Sequence, residues 1–351
     1  MAPHTTLTDA DIRQARLDNP KTRERDLADK LGITEAQLLA PHLGKGVTPL
    51  SPDLDIVIPA VTGLGEVMAL TRNDSCVIEM TAVNEDYRGG PHAALVVNED
   101  IDLRMFPRHW QLASAVEKHL PDGDLRRSIQ VFDAAVDVVH KVFLTEASVA
   151  ENWPSLVQDL RLEPQQAPLA SSARESPEAA KGDAEKADHL RAEWGKITDT
   201  HQFLQMVRKL KMNRLGAYRI AGAPYTRQLQ TKAVQEFLET AREGGFPIML
   251  FVGNRGCIEI HTGPFEALKP MGPWLNVQDA HFNLHLRNDH LAEVWQATKS
   301  TRRGDAISVE AIDADGGLIL QMFGVLEQPE AAAKWNALVD AVPARKEEAL
   351  V

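Results

Sequence analysis

Cysteine is almost missing: 351 residues contain two, Cys76 and Cys257, and they form no metal-ligand spacing. A disulfide framework is excluded, and the chain reads as a protein of the reducing cytoplasm, where disulfides are rare. No stretch approaches 18 uninterrupted apolar residues, which excludes a transmembrane helix and predicts no stable membrane insertion. The first residues, Met1 to Asp11, are polar and lack the apolar run of a signal peptide. Positive charge is in deficit. There are 38 Lys and Arg against 50 Asp and Glu, a formal net charge of −12. Such a chain repels nucleic acid and anionic membrane, so an anionic ligand needs a local basic patch. There is no nucleophile motif, phosphate loop or dinucleotide fingerprint.

What is present is ample: 44% of residues are apolar, enough for a real core, and the length predicts two domains. Residues 9–43 read as short helices broken by Pro20 and Gly32. Leu31-Gly32-Ile33-Thr34-Glu35 resembles a helix-turn-helix with Thr34 as cap, but its second helix carries Glu35 and no Lys or Arg before Lys45. It is read as a packing unit, not a DNA reader. From Ile56 to Leu144 the pattern shifts to short strands bounded by turn residues: Cys76–Met80, Ala93–Val97, Ile101–Phe106 and Ser128–Phe132. No long helix separates one strand from the next, so an antiparallel sheet is expected. Residues 163–188 are rich in Pro, Ala, Ser, Glu and Lys and read as a linker or a surface loop, mobile in either case.

The second half repeats the first. Asn73-Asp74-Ser75-Cys76-Val77 falls on Asn254-Arg255-Gly256-Cys257-Ile258, and Leu103-Arg104-Met105 on Leu284-His285-Leu286, both at an offset of about 181. Asp133-Ala134 falls on Asp313-Ala314 and Phe143 on Phe323 at about 180. The expected fold is α+β and internally duplicated, with a repeat over 1–162, a linker over 163–188 and a second repeat over 189–345. Each repeat has helices and a large antiparallel sheet. The paired cysteines are then small apolar residues at one buried strand position, without a redox role.

One stretch concentrates the chemistry. In Thr198-Asp199-Thr200-His201-Gln202-Phe203, any of Thr198, Asp199 and Thr200 can cap a helix. Phe203, Leu204, Val207 and Leu210 continue it at helical spacing, which places His201 in the first turn near a surface. On local sequence alone such a histidine is usually solvated. His261, His281, His285 and His290 invite a zinc reading. On one strand, however, His281 and His285 would stand roughly 13 Å apart, too far to share an ion.

Longer segments carry a resemblance. Phe251-Val252-Gly253-Asn254-Arg255-Gly256-Cys257, Gly272-Pro273-Trp274-Leu275-Asn276, Glu293-Val294-Trp295 and Gln321-Met322-Phe323-Gly324 resemble signature segments of the bacterial cytoplasmic haem-trafficking and hemin-degrading proteins. Asp199-Thr200-His201-Gln202-Phe203 and Asp102-Leu103-Arg104-Met105-Phe106 belong to the same pattern. The resemblance covers nearly the whole chain.

It implies two similar halves with haem b held on the C-terminal side. By position it implies that His201 is the axial iron ligand and Arg104 a distal-side arginine reaching across from the first half. It makes Arg214 and Lys299 basic residues near the propionates, and Phe251 and Gln321 pocket residues. Where relatives carry a further arginine, this chain has Leu326. The implied function is to receive imported haem and pass it on. The partners would be a haem-uptake transporter and a downstream haem oxygenase. The alternative is an enzyme that itself opens the porphyrin ring, with Arg104 assisting oxygen activation.

Overall fold

The structure is a computed structural model that describes residues 7–162 and 172–345. The first six residues, on which part of the leader reading rests, and residues 163–171 of the expected linker lie outside the described ones. The chain forms two compact units. The first holds the residues up to Arg72, Glu79–Arg174 and Asn254–Glu259; the second holds Asn73–Ile78, Glu175–Gly253 and the residues from Ile260 on. Each unit thus takes in a short segment from the other half of the sequence.

The first half runs α1 (Asp9–Asp18), α2 (Glu24–Leu31), α3 (Glu35–Leu39), β1 (Val47–Leu50), α4 (Leu54–Thr62), β2 (Gly65–Arg72), β3 (Cys76–Val83), β4 (Tyr87–Arg88), β5 (Ala94–Val97), β6 (Asp102–Met105), β7 (Leu112–His119), β8 (Leu125–Phe132), β9 (Val138–Ser148) and α5 (Trp153–Leu160). Within the first unit β1, β7, β8, β9 and β2 pair antiparallel in that order, and β4, β5 and β6 form a short meander. The strand pattern does not begin at Ile56 as the sequence suggested. Asp53 caps a helix there, accepting from the Asp55 amide at 3.0 Å. Leu54, Val57, Ile58 and Val61 bury one helical stripe.

The second half runs α6 (Ala187–Trp194), α7 (Gln202–Lys209), α8 (Arg214–Ala221), β10 (Thr226–Leu229), α9 (Ala233–Glu243), β11 (Ile248–Gly253), β12 (Cys257–Gly263), β13 (Leu268–Met271), β14 (Trp274–Gln278), β15 (Phe282–Arg287), β16 (Glu293–Thr301), β17 (Gly304–Ile312), β18 (Leu318–Gly324) and α10 (Pro329–Ala341). Its order β10, β16, β17, β18, β11 and its meander β13, β14, β15 copy the first half. The α+β duplication therefore holds strand by strand.

It also holds atom by atom. Asn73 Oδ1 accepts from the amides of Ser75 and Cys76, and its amide group donates to the carbonyls of Gly253 and Ile319. Asn254 Oδ1 accepts from Gly256 and Cys257, and its amide group donates to Arg72 and Val139. Both cysteines are free and buried, and burial pushes both thiols up, which suits packing and not redox chemistry.

The described end of the linker is not loose. In the first unit the Ser172 amide donates to the Ala134 carbonyl at 2.7 Å, and Arg174 grips both oxygens of Asp137. In the second unit the Asn213 side chain accepts from the Lys181 amide at 2.9 Å and donates to the Ala179 carbonyl at 2.7 Å. A Cβ on Gly216 would lie 1.9 Å from the Lys181 carbonyl oxygen, so only glycine lets the strap lie this close to α8.

Candidate functional site

In the second unit, alternation along the strands sets up one sheet face. Trp295 lies opposite Glu310, Glu310 opposite Gln321, and Gln321 opposite Phe251. Directly opposed residues share a face, so these four form a row spanning three inter-strand steps, roughly 14 Å. Two expected pocket residues, Phe251 and Gln321, are therefore direct cross-strand neighbours. Phe251 also meets Phe323 with ring centroids 5.0 Å apart. Phe251, Gln321 and Phe323 stay half-buried, whereas Trp295 is covered by α6, α7 and α8.

The helices sit there because of their apolar stripes and caps. Trp194 packs on Phe203 at 4.6 Å and Phe203 on Tyr218 at 5.6 Å. Asn213 caps α8, accepting from the Gly216 amide at 2.9 Å, and this puts Arg214 in the first helical turn.

Arg214 and Lys299 meet on one carboxylate. Arg214 Nη1 donates to Glu310 Oε2 at 2.5 Å. Lys299 Nζ donates to Glu310 Oε1 at 2.9 Å, to the Tyr218 hydroxyl at 3.0 Å and to Ser308 at 3.3 Å. It also lies 5.0 Å from the centre of the Phe203 ring. An ammonium has three N–H donors, so these contacts use all of them. Glu310 is fully buried. Burial alone would raise its carboxyl, but the charges of Arg214 and Lys299 outweigh that and hold it well below the usual carboxylate range. Tyr218 donates to the same carboxylate at 2.7 Å and is pushed well above its usual value, first by burial and then by the Glu310 charge. Two cations share one anion, which leaves one positive charge beneath the face. Arg214, with 23% of its side chain exposed, also lines a cleft with Glu178, Leu215, Ile312 and Gly316.

His201 stands one residue before α7, at its N-cap, and not in its first turn. Asp199 Oδ1 accepts from the His201 amide at 2.8 Å and from ring Nδ1 at 2.7 Å. A carboxylate is only an acceptor, so Nδ1 carries a proton, and in the neutral imidazole Nε2 then presents its lone pair. The His201 side chain is 93% exposed, and among the described residues Nε2 has no protein partner.

Arg104 lies on β6 in the first unit, half-exposed, with Nη2 on Asp102 Oδ2 at 2.8 Å. The rival histidines disperse. His261 stacks on Phe282 at 3.7 Å, His285 bonds Asn276 at 2.7 Å and His290 bonds Ser75 at 3.0 Å. His281 precedes β15. Among the described residues no three His, Cys, Asp or Glu side chains are grouped to hold a metal. Leu326 is half-buried in the turn after β18.

Sequence reasoning missed Glu310 and Tyr218. A signal existed: Glu310 is the one charged residue in Ile307-Ser308-Val309-Glu310-Ala311-Ile312, where a two-sided apolar strand has no obvious use for it.

The haemin-degrading HemS/ChuX domain model matches residues 32–160 and 211–342, once in each half. The chain belongs to this family. It is 35% identical over 320 residues to the hemin transport protein HemS of Yersinia enterocolitica, covering 89% of this chain and 90% of that one. Among solved structures it resembles holo-PhuS, a heme-binding protein from Pseudomonas aeruginosa, with a TM-score of 0.90 and 38% identity over 97% of this chain and all of that one. It also resembles ChuS, described as a heme degrading enzyme of Escherichia coli O157:H7, with a TM-score of 0.85 and 29% identity over 94% of this chain and 97% of that one.

Proposed function

We propose that this protein binds haem b in the cytoplasm, receives it from a haem-uptake transporter and hands it on, with a haem oxygenase as one recipient. The observation that carries the reading is His201: an exposed imidazole whose Nδ1 is held by Asp199 and whose Nε2 is free to ligate. Haem also needs an apolar face and cations for two carboxylates. The half-buried Phe251, Gln321 and Phe323 offer the first. The residual charge of the Arg214–Lys299–Glu310 group offers the second. The residues present therefore fit the group. Bound haem supplies an iron that takes an imidazole ligand. The protein binds the ring, fixes the imidazole and neutralises the propionates. Arg214 is the direct propionate partner, since its guanidinium keeps donors beyond the one on Glu310. Lys299 acts through its charge, because its donors are already used.

His201→Ala should abolish the native Soret spectrum and sharply raise the haem dissociation rate. His285→Ala should leave both nearly unchanged. The reading fails if the two variants behave the other way round.

A second reading is supported by the E. coli relative, described as a heme degrading enzyme. In it this protein would open the ring itself with oxygen and an external electron donor, and Arg104 would supply the cationic donor that assists oxygen activation. The loaded protein with reductant and catalase separates the two. A Soret band that decays despite catalase, and is preserved in Arg104→Ala, supports turnover. A stable band supports carriage.

A further inference from the structure

The turn that presents His201 is pinned from both sides although it lies on the surface. Asp199 Oδ1 accepts from the His201 backbone and ring, as described above. Gln202 reaches back to the Thr198 amide at 2.8 Å. The Gln202 amide donates to the Asp199 carbonyl at 3.1 Å, and that of Phe203 to the Thr200 carbonyl at 3.2 Å. One residue further on, Phe203 is buried against Trp194 and Tyr218 and anchors the turn to the core.

An exposed Asp–His pair is ordinarily worth little, because two mobile side chains must be held together in water. Here the cost is largely met in advance. The carboxylate is already fixed by its backbone bond, and its ring contact uses the same oxygen. Arg302, on the hairpin between β16 and β17, also acts on Asp199 through its charge. Among the described residues no hydrogen bond joins Arg302 to Asp199. The carboxylate is thus oriented towards the imidazole, and among the described residues no other side chain bonds it.

We infer that Asp199 is a positioning residue for the axial ligand. It selects the His201 tautomer with Nε2 unprotonated, fixes the ring plane and raises the basicity of the ligating nitrogen. Partners of this kind on the far nitrogen of a ligating histidine typically change metal affinity 10–100-fold. The inference rests on His201 being the ligand, and the test keeps the two claims apart.

Three variants are compared with the wild-type protein. Asp199→Asn keeps an acceptor and loses the charge. Asp199→Ser keeps the backbone cap but is too short to reach the ring. His201→Ala removes the ligand. The readouts are haem dissociation into excess apomyoglobin, the iron–imidazole stretching frequency of the reduced loaded protein, and the His201 tautomer in the apoprotein by nitrogen NMR. Asp199→Ser should raise the dissociation rate roughly 10–100-fold, lower the stretching frequency and abolish the tautomer preference. Asp199→Asn should fall between it and wild type. If His201→Ala loses the native spectrum while both Asp199 variants match wild type in off-rate and frequency, Asp199 has no such role and the ligand assignment stands. If His201→Ala itself retains the wild-type spectrum, both claims fail.

Discussion

At the scale of single residues, Glu310 holds the site together. Its two oxygens gather Arg214, Lys299, Tyr218 and Ser308, and it is fully buried. A buried ion pair contributes less to stability than its geometry suggests, because desolvation offsets the attraction. Breaking one is another matter. Glu310→Gln leaves two cations without a counter-charge, and unfolding in urea should show a loss of about 3–5 kcal/mol. The pH dependence has a defined sign. The folded carboxyl is depressed below the unfolded value, so its contribution is complete above the ordinary carboxylate range and is lost as pH falls through the depressed value. Wild type should therefore lose stability on acidification more steeply than Glu310→Gln. Equal acid limbs and an unchanged midpoint would show that the group is not coupled as drawn. The same reasoning warns against removing Arg214 and Lys299 together. A double alanine variant strands Glu310 and damages the fold, so a weakened haem site would carry no message. Arg214→Lys, which keeps the charge but loses the planar fork, is the cleaner probe of propionate contact.

At the scale of elements, the strap from Glu178 to Gly182 and the start of α8 behave as one piece. Asn213 caps the helix and holds the strap, and Arg214 follows it immediately. In an isolated helix Gly216→Ala would be favoured by about 1 kcal/mol. Here the added methyl meets the Lys181 carbonyl, so the strap must lift. The expected result is a net loss of about 1–3 kcal/mol and faster proteolytic nicking of the strap. An unchanged cleavage pattern at unchanged stability would mean that the strap is not held there. The sequence predicted the opposite of a docked strap, because composition alone reads Pro, Ala, Ser and Glu as mobile; one asparagine and a pair of glycines reverse it. Other elements were legible. The strands around Cys76, Leu103 and Ser128 were visible by alternation, and His201 sits within one residue of its expected position. Glu310 was missed despite standing alone among apolar neighbours, since an acid in a strand reads as a solvent-facing residue until the helices covering that face are known. Sheet order was likewise hidden, because β2 pairs with β9 across many intervening residues that leave no local trace.

At the scale of the molecule, duplication raises the question of how many haems one chain holds. The two units share strand order, turns and paired asparagines, so a symmetric protein with two sites would be the simple guess. The side chains argue otherwise. The row Trp295, Glu310, Gln321 and Phe251 has as its first-unit counterpart Ser114, Gln130, Lys141 and Leu70. Where the second unit has a half-buried Gln321, the first has Lys141, buried and paired with Glu35 at 2.5 Å and Glu24 at 3.5 Å. Arg72 pairs with Glu35 as well, and these cations hold the Glu35 carboxyl down to about 2 against the pull of burial. Helices α2 and α3 thus supply their own carboxylates to the cations of that face, with Arg16 as a third cation 2.9 Å from Glu24. The axial position is also vacant, since counting back 179 residues from His201 gives Thr22, between Lys21 and Arg23. We therefore expect one tight haem per chain despite two matches to the family domain. Titration of the apoprotein followed at the Soret band should break at one equivalent, and His201→Ala should remove that break entirely. A break at two equivalents, or a full equivalent with native spectrum surviving in His201→Ala, would place a competent site in the first unit.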